Sequence, residues 1–304
     1  MSPPSTPRTR LYLTLCVGLC ALLGATAWLI RDLPRRLVAA ALADRLAAKV
    51  TLDHLAIDGK DQFRLVRLRI EDLHDYPFVK SLHFDEILIQ AELGGILESR
   101  FERWQLRGGV ARLVPTEWSP PPRRPLPHIH ELILEPAEVQ VVFGAQETSI
   151  TAQAKLQDQT YAQAMEASYH GEVLLRADTL ALAPWLALFD PSDPPPIEGH
   201  LADFETVWRL ETGAIKAGAR HLSTRHVDQT LGLIEPKLQV TPGDPEVGVE
   251  LVAEQAKLDF AGQTTAIEEL RLVASTTATA TGTLQMQLHP FFDGLRSGEL
   301  DVEW

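Results

Sequence analysis

From Thr51 onward the apolar residues of this chain recur at every second position, and that period constrains the fold more than any other feature. Successive side chains of a strand point to opposite faces, so such a run describes a strand with one apolar and one wet side. Val66, Leu68 and Ile70 alternate with Arg67, Arg69 and Glu71. Ile87, Ile89, Ala91 and Leu93 alternate with Leu88, Gln90 and Glu92, and Val139, Val141 and Phe143 follow the same rule. Two runs are longer. Ala167, Tyr169, Gly171, Val173, Leu175 and Ala177 share one face, and so do Ala278, Ala280, Gly282, Leu284, Met286 and Leu288, opposite threonines and glutamines. The expectation is a mostly β body of antiparallel strands, with turns at Asp58-Gly59, Gly94-Gly95, Gly108-Gly109 and Pro136. A weak repeat is visible, in which Trp104–Val114 and Leu132–Val142 each read as an apolar strand, a breaker and a second apolar strand. A stack of such hairpins either closes into a barrel or sandwich or curls into an open trough.

Before the strands comes Leu11–Ile30, twenty residues without a charge. A helix of that length spans about 30 Å, the thickness of a bilayer's hydrocarbon core. A cleaved leader is the competing reading, with Ala25-Thr26-Ala27 as its exit site. The apolar run continues through Trp28 and Ile30 to Arg31, Arg35 and Arg36, the pattern of an interface anchor, so a retained single span is expected. Arg8 and Arg10 precede the span and three arginines follow it, so charge does not orient it. The size of the trailing body favours the N-terminus inside and the C-terminus outside.

Residues 1–10 then form a tail, 11–30 the span, and 31–50 a short amphipathic helix. Asp32 caps that helix, Pro34 sits in its first turn, and Leu37, Val38, Ala41, Leu42 and Leu46 recur at helical spacing. Such a helix either packs on the domain that follows or lies at the membrane surface. Residues 51–118 make a first β block and 119–127 (SPPPRRPLP) a stiff proline-rich linker. The range 128–304 continues the β body, with a loop at 190–196.

Charge is unevenly spread. Residues 1–50 hold seven basic and two acidic residues, a balance of +5, and the remaining 254 hold 21 and 39, a balance of −18. An acidic body does not follow phosphate backbones, which argues against nucleic acid as a partner. The two cysteines, Cys16 and Cys20, both lie in the span, leaving the body without disulfides or thiolate metal sites. No nucleophile elbow, phosphate loop, dinucleotide fingerprint or zinc-protease helix occurs. His128 and His130 share a strand face without a third ligand, and the adjacent acids Asp85-Glu86 and Glu268-Glu269 point to opposite faces. No catalytic residue, cofactor or metal is expected.

The opening of the chain, one uncharged span, an Ala/Leu-rich helix and then VTLDHLAIDG…RLVRLRIEDL, resembles that of AsmA-like proteins. The phrase LALAPWLALFDPSDPPPIEGHLADFETVWRL at 180–210 is similar to their interior. The resemblance covers most of residues 11–210 and rests on spacing and residue class. It implies a curled antiparallel sheet forming an open groove (a β-taco), anchored in a bacterial inner membrane and projecting into the periplasm. It also implies transport of phospholipid or another acyl lipid between membranes, as in the larger TamB and YhdP types, and outer-membrane biogenesis. The expected groove lining is Ala167, Tyr169, Gly171, Val173, Leu175, Ala278, Ala280, Gly282, Leu284, Met286 and Leu288, with Leu11, Trp28 and Ile30 in the anchor. The chain is much shorter than the bridging members. At about 4.8 Å per strand, 16 to 18 strands extend only roughly 80 Å. The alternative is a structural or assembly component of an envelope complex, similar to the type II secretion protein N group, whose apolar face pairs with protein.

Overall fold

The computed structural model describes residues 32–304 except 45, 93–97, 99, 115–127, 164–167, 187–197, 227–228, 244–245, 261–262, 278–281, 291–297 and 304; at 226, 246, 260, 263 and from 275 onward it describes the backbone alone. The expected span at 11–30, the linker at 119–127, the loop at 190–196 and the lining positions Ala167, Ala278 and Ala280 lie outside the described residues. Among the described residues no helix is long and apolar enough to cross a membrane.

A first helix, α1, covers 32–44. It ends where Ala47 takes a left-handed φ of +48° and the Ala48 N–H donates back to the Ala43 carbonyl, 3.1 Å away. Then come β1 (Lys49–Asp58), β2 (Gln62–Glu71), β3 (Val79–Gln90), β4 (Arg100–Arg107), β5 (Val110–Leu113), β6 (His128–Phe143), β7 (Gln146–Asp158) and β8 (Tyr169–Ala181). A one-turn helix, α2 (Leu182–Leu186), precedes β9 (Glu198–Arg209), β10 (Ile215–Gly218), β11 (His221–His226), β12 (Gln229–Ile234) and β13 (Lys237–Pro242). The chain closes with β14 (Glu246–Phe260), β15 (Gln263–Thr277), β16 (Gly282–Pro290) and β17 (Gly298–Glu303).

All seventeen segments belong to one sheet, mixed but mainly antiparallel, and partly curled into a ring. Sequence neighbours pair in turn. β10 and β11 both pair with β9, β12 and β13 both pair with β14, and β4 and β5 lie end to end between β3 and β6.

The expectation of a purely antiparallel stack of hairpins is corrected at the repeat. Trp104 pairs with Leu132, Leu106 with Leu134, Ala111 with Val139 and Leu113 with Val141, all in parallel. The repeat is therefore two neighbouring strands of one direction, offset by the repeat length itself. Its breakers make no turn. Gly108, at φ +58°, lies between β4 and β5, which pair with the same two neighbours, and Pro136 lies within β6 where the register with β7 shifts, so in neither place does the chain reverse.

The polar side carries cross-strand ion pairs, which occupy facing or diagonal positions in the sheet. Glu86 bonds to Arg107 at 3.0 Å, Arg107 to Glu135 at 2.8 Å, and Arg103 to Glu131 at 2.6 Å. Farther along, Arg176 meets Glu205 and Arg209 meets Glu172, both at 2.9 Å and both directly opposite in register. The apolar side holds two buried clusters. One is built on Leu52, Leu65, Leu68, Ile70, Leu73 and Ile87, with Val38, Ala39, Leu42 and Leu46 of α1 and its C-terminal turn packed against it. The other is built on Leu233, Ala253, Ala256 and Leu270.

Candidate functional site

The alternation is not continuous within the strands. In β2 the buried side chains are Leu65, Leu68 and Ile70, not the expected Val66, Leu68 and Ile70. Arg67, at φ +53°, breaks the alternation without any insertion: the ladder pairs 66 with 54 and 68 with 52 in one register and leaves out both 67 and the facing 53. A left-handed residue within a strand interrupts the pleat, and here the apolar face passes from odd to even positions across it.

The same step recurs at one level across neighbouring strands. By register Asp53, Arg67, Asp85 and Gly108 form one transverse line, and Asp203, Arg220, Glu235, Glu254 and Glu269 form a second. On each line alternate strands take the left-handed conformation, at Arg67 and Gly108 and then at Asp203, Glu235 and Glu269, with φ between +50° and +58°. The outcome is a pair of creases. Buried residues three apart flank them: Leu65 and Leu68 in the first cluster, Ala253 and Ala256 in the second, and Leu233 of the second with the buried Pro236.

With the creases in place, one apolar row crosses the sheet from β1 to β17. Register links Leu55 to Leu65, Leu65 to Ile87, Ile87 to Leu106, Leu106 to Leu134, Leu134 to Ala154, and Ala154 to Val173. It continues from Val173 to Trp208, Ile215, Val240, Val249 and Ala274, and at the backbone level to Leu284 and Val302. No polar residue interrupts it. A second row runs beside it through Ala152, Leu175, Thr206, Ala217, Leu238, Leu251, Leu272 and Met286. Its single polar member is satisfied, because the buried Thr206 hydroxyl donates to the Lys216 carbonyl at 3.0 Å.

Coverage of the row is uneven. Leu65, Ile87 and Ala154 are buried, whereas Leu55, Leu106, Leu134, Val173, Ile215, Val240, Val249 and Ala274 are only half-buried. Trp208, in mid-row, is 45% exposed. A sealed core leaves its large side chains fully covered, and this face does not.

Of the expected lining, Val173 and Leu175 sit on these two rows, half-buried, with Gly171 and Tyr169 farther along the same face of β8. Tyr169 lies close to the β6 backbone, and burial pushes its hydroxyl above the usual tyrosine range despite a hydrogen bond with the Ile129 backbone. Gly282, Leu284, Met286 and Leu288 fall on β16, where the backbone register puts the last three opposite Ala274, Leu272 and Leu270. The expected lining omitted Leu55, Leu65, Leu106, Leu134, Ala154, Trp208, Ile215, Val240 and Val249. For Leu55, Leu65 and Leu134 the signal was present as apolar pairs three apart, Leu52 with Leu55, Leu65 with Leu68 and Leu134 with Ala137, whereas Ala154, Trp208, Ile215 and Val240 have no such partner.

The histidine pair is separated by its partners. His128 Nδ1 lies 3.3 Å from Asp158 Oδ2, while the ring of His130 packs on Tyr161 at 5.2 Å between centroids. Among the described residues no three His, Asp or Glu side chains gather as metal ligands. A concavity of about 640 Å³ lies among Ser149, Thr151, Arg176, Asp178, Asp203 and Glu205, where Arg176 is already paired with Glu205. Comparison with known protein families, characterised proteins and solved structures found no match.

Proposed function

We propose that this chain is a membrane-anchored β-groove protein of the AsmA-like type, whose apolar face carries the acyl chains of lipids. On this reading Leu11–Ile30 holds it in a bacterial inner membrane, the body lies in the periplasm, and the bound lipid moves between membranes or serves outer-membrane biogenesis. The observation that carries the reading is the unbroken apolar row from Leu55 to Ala274, half-buried along most of its length. An acyl chain in water costs about 0.8 kcal/mol per CH₂, so a C16 tail needs roughly 12 kcal/mol of apolar cover at every point of its path. A row without a polar gap supplies that cover. No step of the proposed activity needs a catalytic group or a cofactor.

The test is direct. The full chain is purified in mild detergent and its lipid extract analysed by mass spectrometry, with Trp208→Glu as the comparison. Phospholipid retained by the parent and reduced in the variant supports the reading, and a parent free of phospholipid overturns it. A photo-crosslinker at Trp208 that captured only protein in cells would favour an envelope assembly role instead.

A further inference from the structure

Helix α1 has two apolar sides, and the sheet uses one. Val38, Ala39 and Leu42, with Leu46 just beyond, pack on the first buried cluster. Leu33, Arg36, Leu37, Ala40, Ala41 and Asp44 are all exposed. These positions recur at i, i+3, i+4, i+7, i+8 and i+11, one continuous face of a helix. Four of the six are apolar, and Leu37 is 61% and Leu33 46% exposed. In a short helix already docked through its other side, two uncovered leucines in one stripe mark a contact surface.

From this stripe we propose that α1 lies in the headgroup layer of the bilayer, with Leu33, Leu37, Ala40 and Ala41 turned into the lipid. Three observations select a bilayer as the occupant. The first described residue of the helix, Asp32, comes two residues after the uncharged run at 11–30. Arg36 lies within the stripe and Arg31 precedes it in the sequence, in a segment of balance +5 attached to a body of −18, so the anionic lipid surface attracts this end and repels the rest. Leucines beside arginines on a short helix are the composition of an interfacial segment.

The sheet is held to this helix by more than packing. Arg35 Nη1 donates to the Asp53 carbonyl of β1 at 2.9 Å, so α1 is pinned to the first strand. A helix lying in the headgroup layer therefore holds the β1 end of the apolar row at the bilayer, with Leu55 and the 58% exposed Ile57 nearest the lipid. Acyl chains then enter the row at β1 and pass toward β17. This rests on the anchored-groove reading above.

The experiment uses the full chain, with Cys16→Ser and Cys20→Ser and one new cysteine at a time, at Leu33, Leu37, Val38 or Arg176. Each variant is reconstituted in phosphatidylcholine–phosphatidylglycerol vesicles and labelled with an environment-sensitive fluorophore, its fold checked by circular dichroism. The expected result is a blue-shifted label at 33 and 37, quenched several-fold more by brominated lipid than the label at 176, and shielded from aqueous iodide. Labels at 33 and 37 as open to iodide as the one at 176 overturn the proposal. Protection found in cells but absent from vesicles of the pure protein overturns it too, because the occupant is then another protein. Lipid that co-purifies while 33 and 37 stay aqueous removes only this inference. Embedded labels without co-purifying lipid remove only the groove reading.

Discussion

Asp85 lies over Gly108 where the first crease passes from β3 to the β4–β5 strand: a Cβ added to Gly108 would overlap the Asp85 carboxylate. Gly108 also has φ +58°, which a side chain disfavours by roughly 1 kcal/mol. Gly108→Ala therefore meets both penalties and is expected to cost about 2–3 kcal/mol in urea unfolding. Gly144, at φ +61° with open space around it, meets only the first, so Gly144→Ala should cost about 1 kcal/mol. Equal costs at the two sites would mean that Asp85 is not part of the crease.

Arg67 tests the crease from the other side. The register with β1 and β3 is the same on both sides of Arg67, so deleting it slips Leu68 and Ile70 by one residue against their partners and turns both toward solvent. The deletion is expected to abolish cooperative unfolding. Arg67→Gly keeps the count and relieves the left-handed backbone at the expense of an exposed ion pair to Asp53, Nε to Oδ2 3.0 Å, so it stays within about 1 kcal/mol of the parent.

Two positions on the row should separate stability from occupancy. Leu65 is 4% exposed inside the first cluster, and Leu65→Ala is expected to cost about 2–5 kcal/mol. Trp208 is 45% exposed, so Trp208→Glu should change stability by no more than about 1 kcal/mol while lowering the retained phospholipid several-fold. A variant that keeps its lipid would show that the row is not the binding surface.

Acid sensitivity should centre on Asp158, which is 1% exposed. Burial alone would raise its pKa, but it accepts from the Thr160 N–H at 2.9 Å, the Thr160 hydroxyl at 2.8 Å, the Ser168 N–H at 3.1 Å and His128 at 3.3 Å. The net direction is below the ordinary carboxylate value. A depressed folded pKa gives stability that is complete above the unfolded value of about 3.9 and is lost as pH falls through the folded value. Asp158→Asn should cost about 1–3 kcal/mol at neutral pH and flatten the acid limb of the stability profile.

The polar-face pairs should matter little one at a time. Arg176 and Glu205 face each other at 2.9 Å with both side chains more than half exposed. A double-mutant cycle to alanine is expected to give about 0.2–1 kcal/mol, falling with added salt.

Much of the body was legible in the sequence because alternation follows from the strand's own geometry, whatever surrounds it. Val173, Leu175 and Ala177 could be put on one face from their spacing alone, and the structure has them there. Period two misleads where it is carried through the breaks. Val66 fits period two with Leu68 from one end, whereas Leu65 is the residue buried on that face. Gly108 and Pro136 carry the same signal as turns, since glycine and proline interrupt strands in both settings. What separates a crease from a turn is whether the next segment pairs with the same neighbour, and that pairing is long-range.

The amino-acid order by itself determined that this body is a sheet with one greasy side and one charged side, because side-chain polarity at alternate positions decides which face water can cover. It also placed a lone uncharged run ahead of that sheet. Only the tertiary structure decided that the repeat lies parallel, that left-handed residues line up into two creases, and that separate apolar stripes join into one row. Those are properties of register, and register is set by partners distant in the chain.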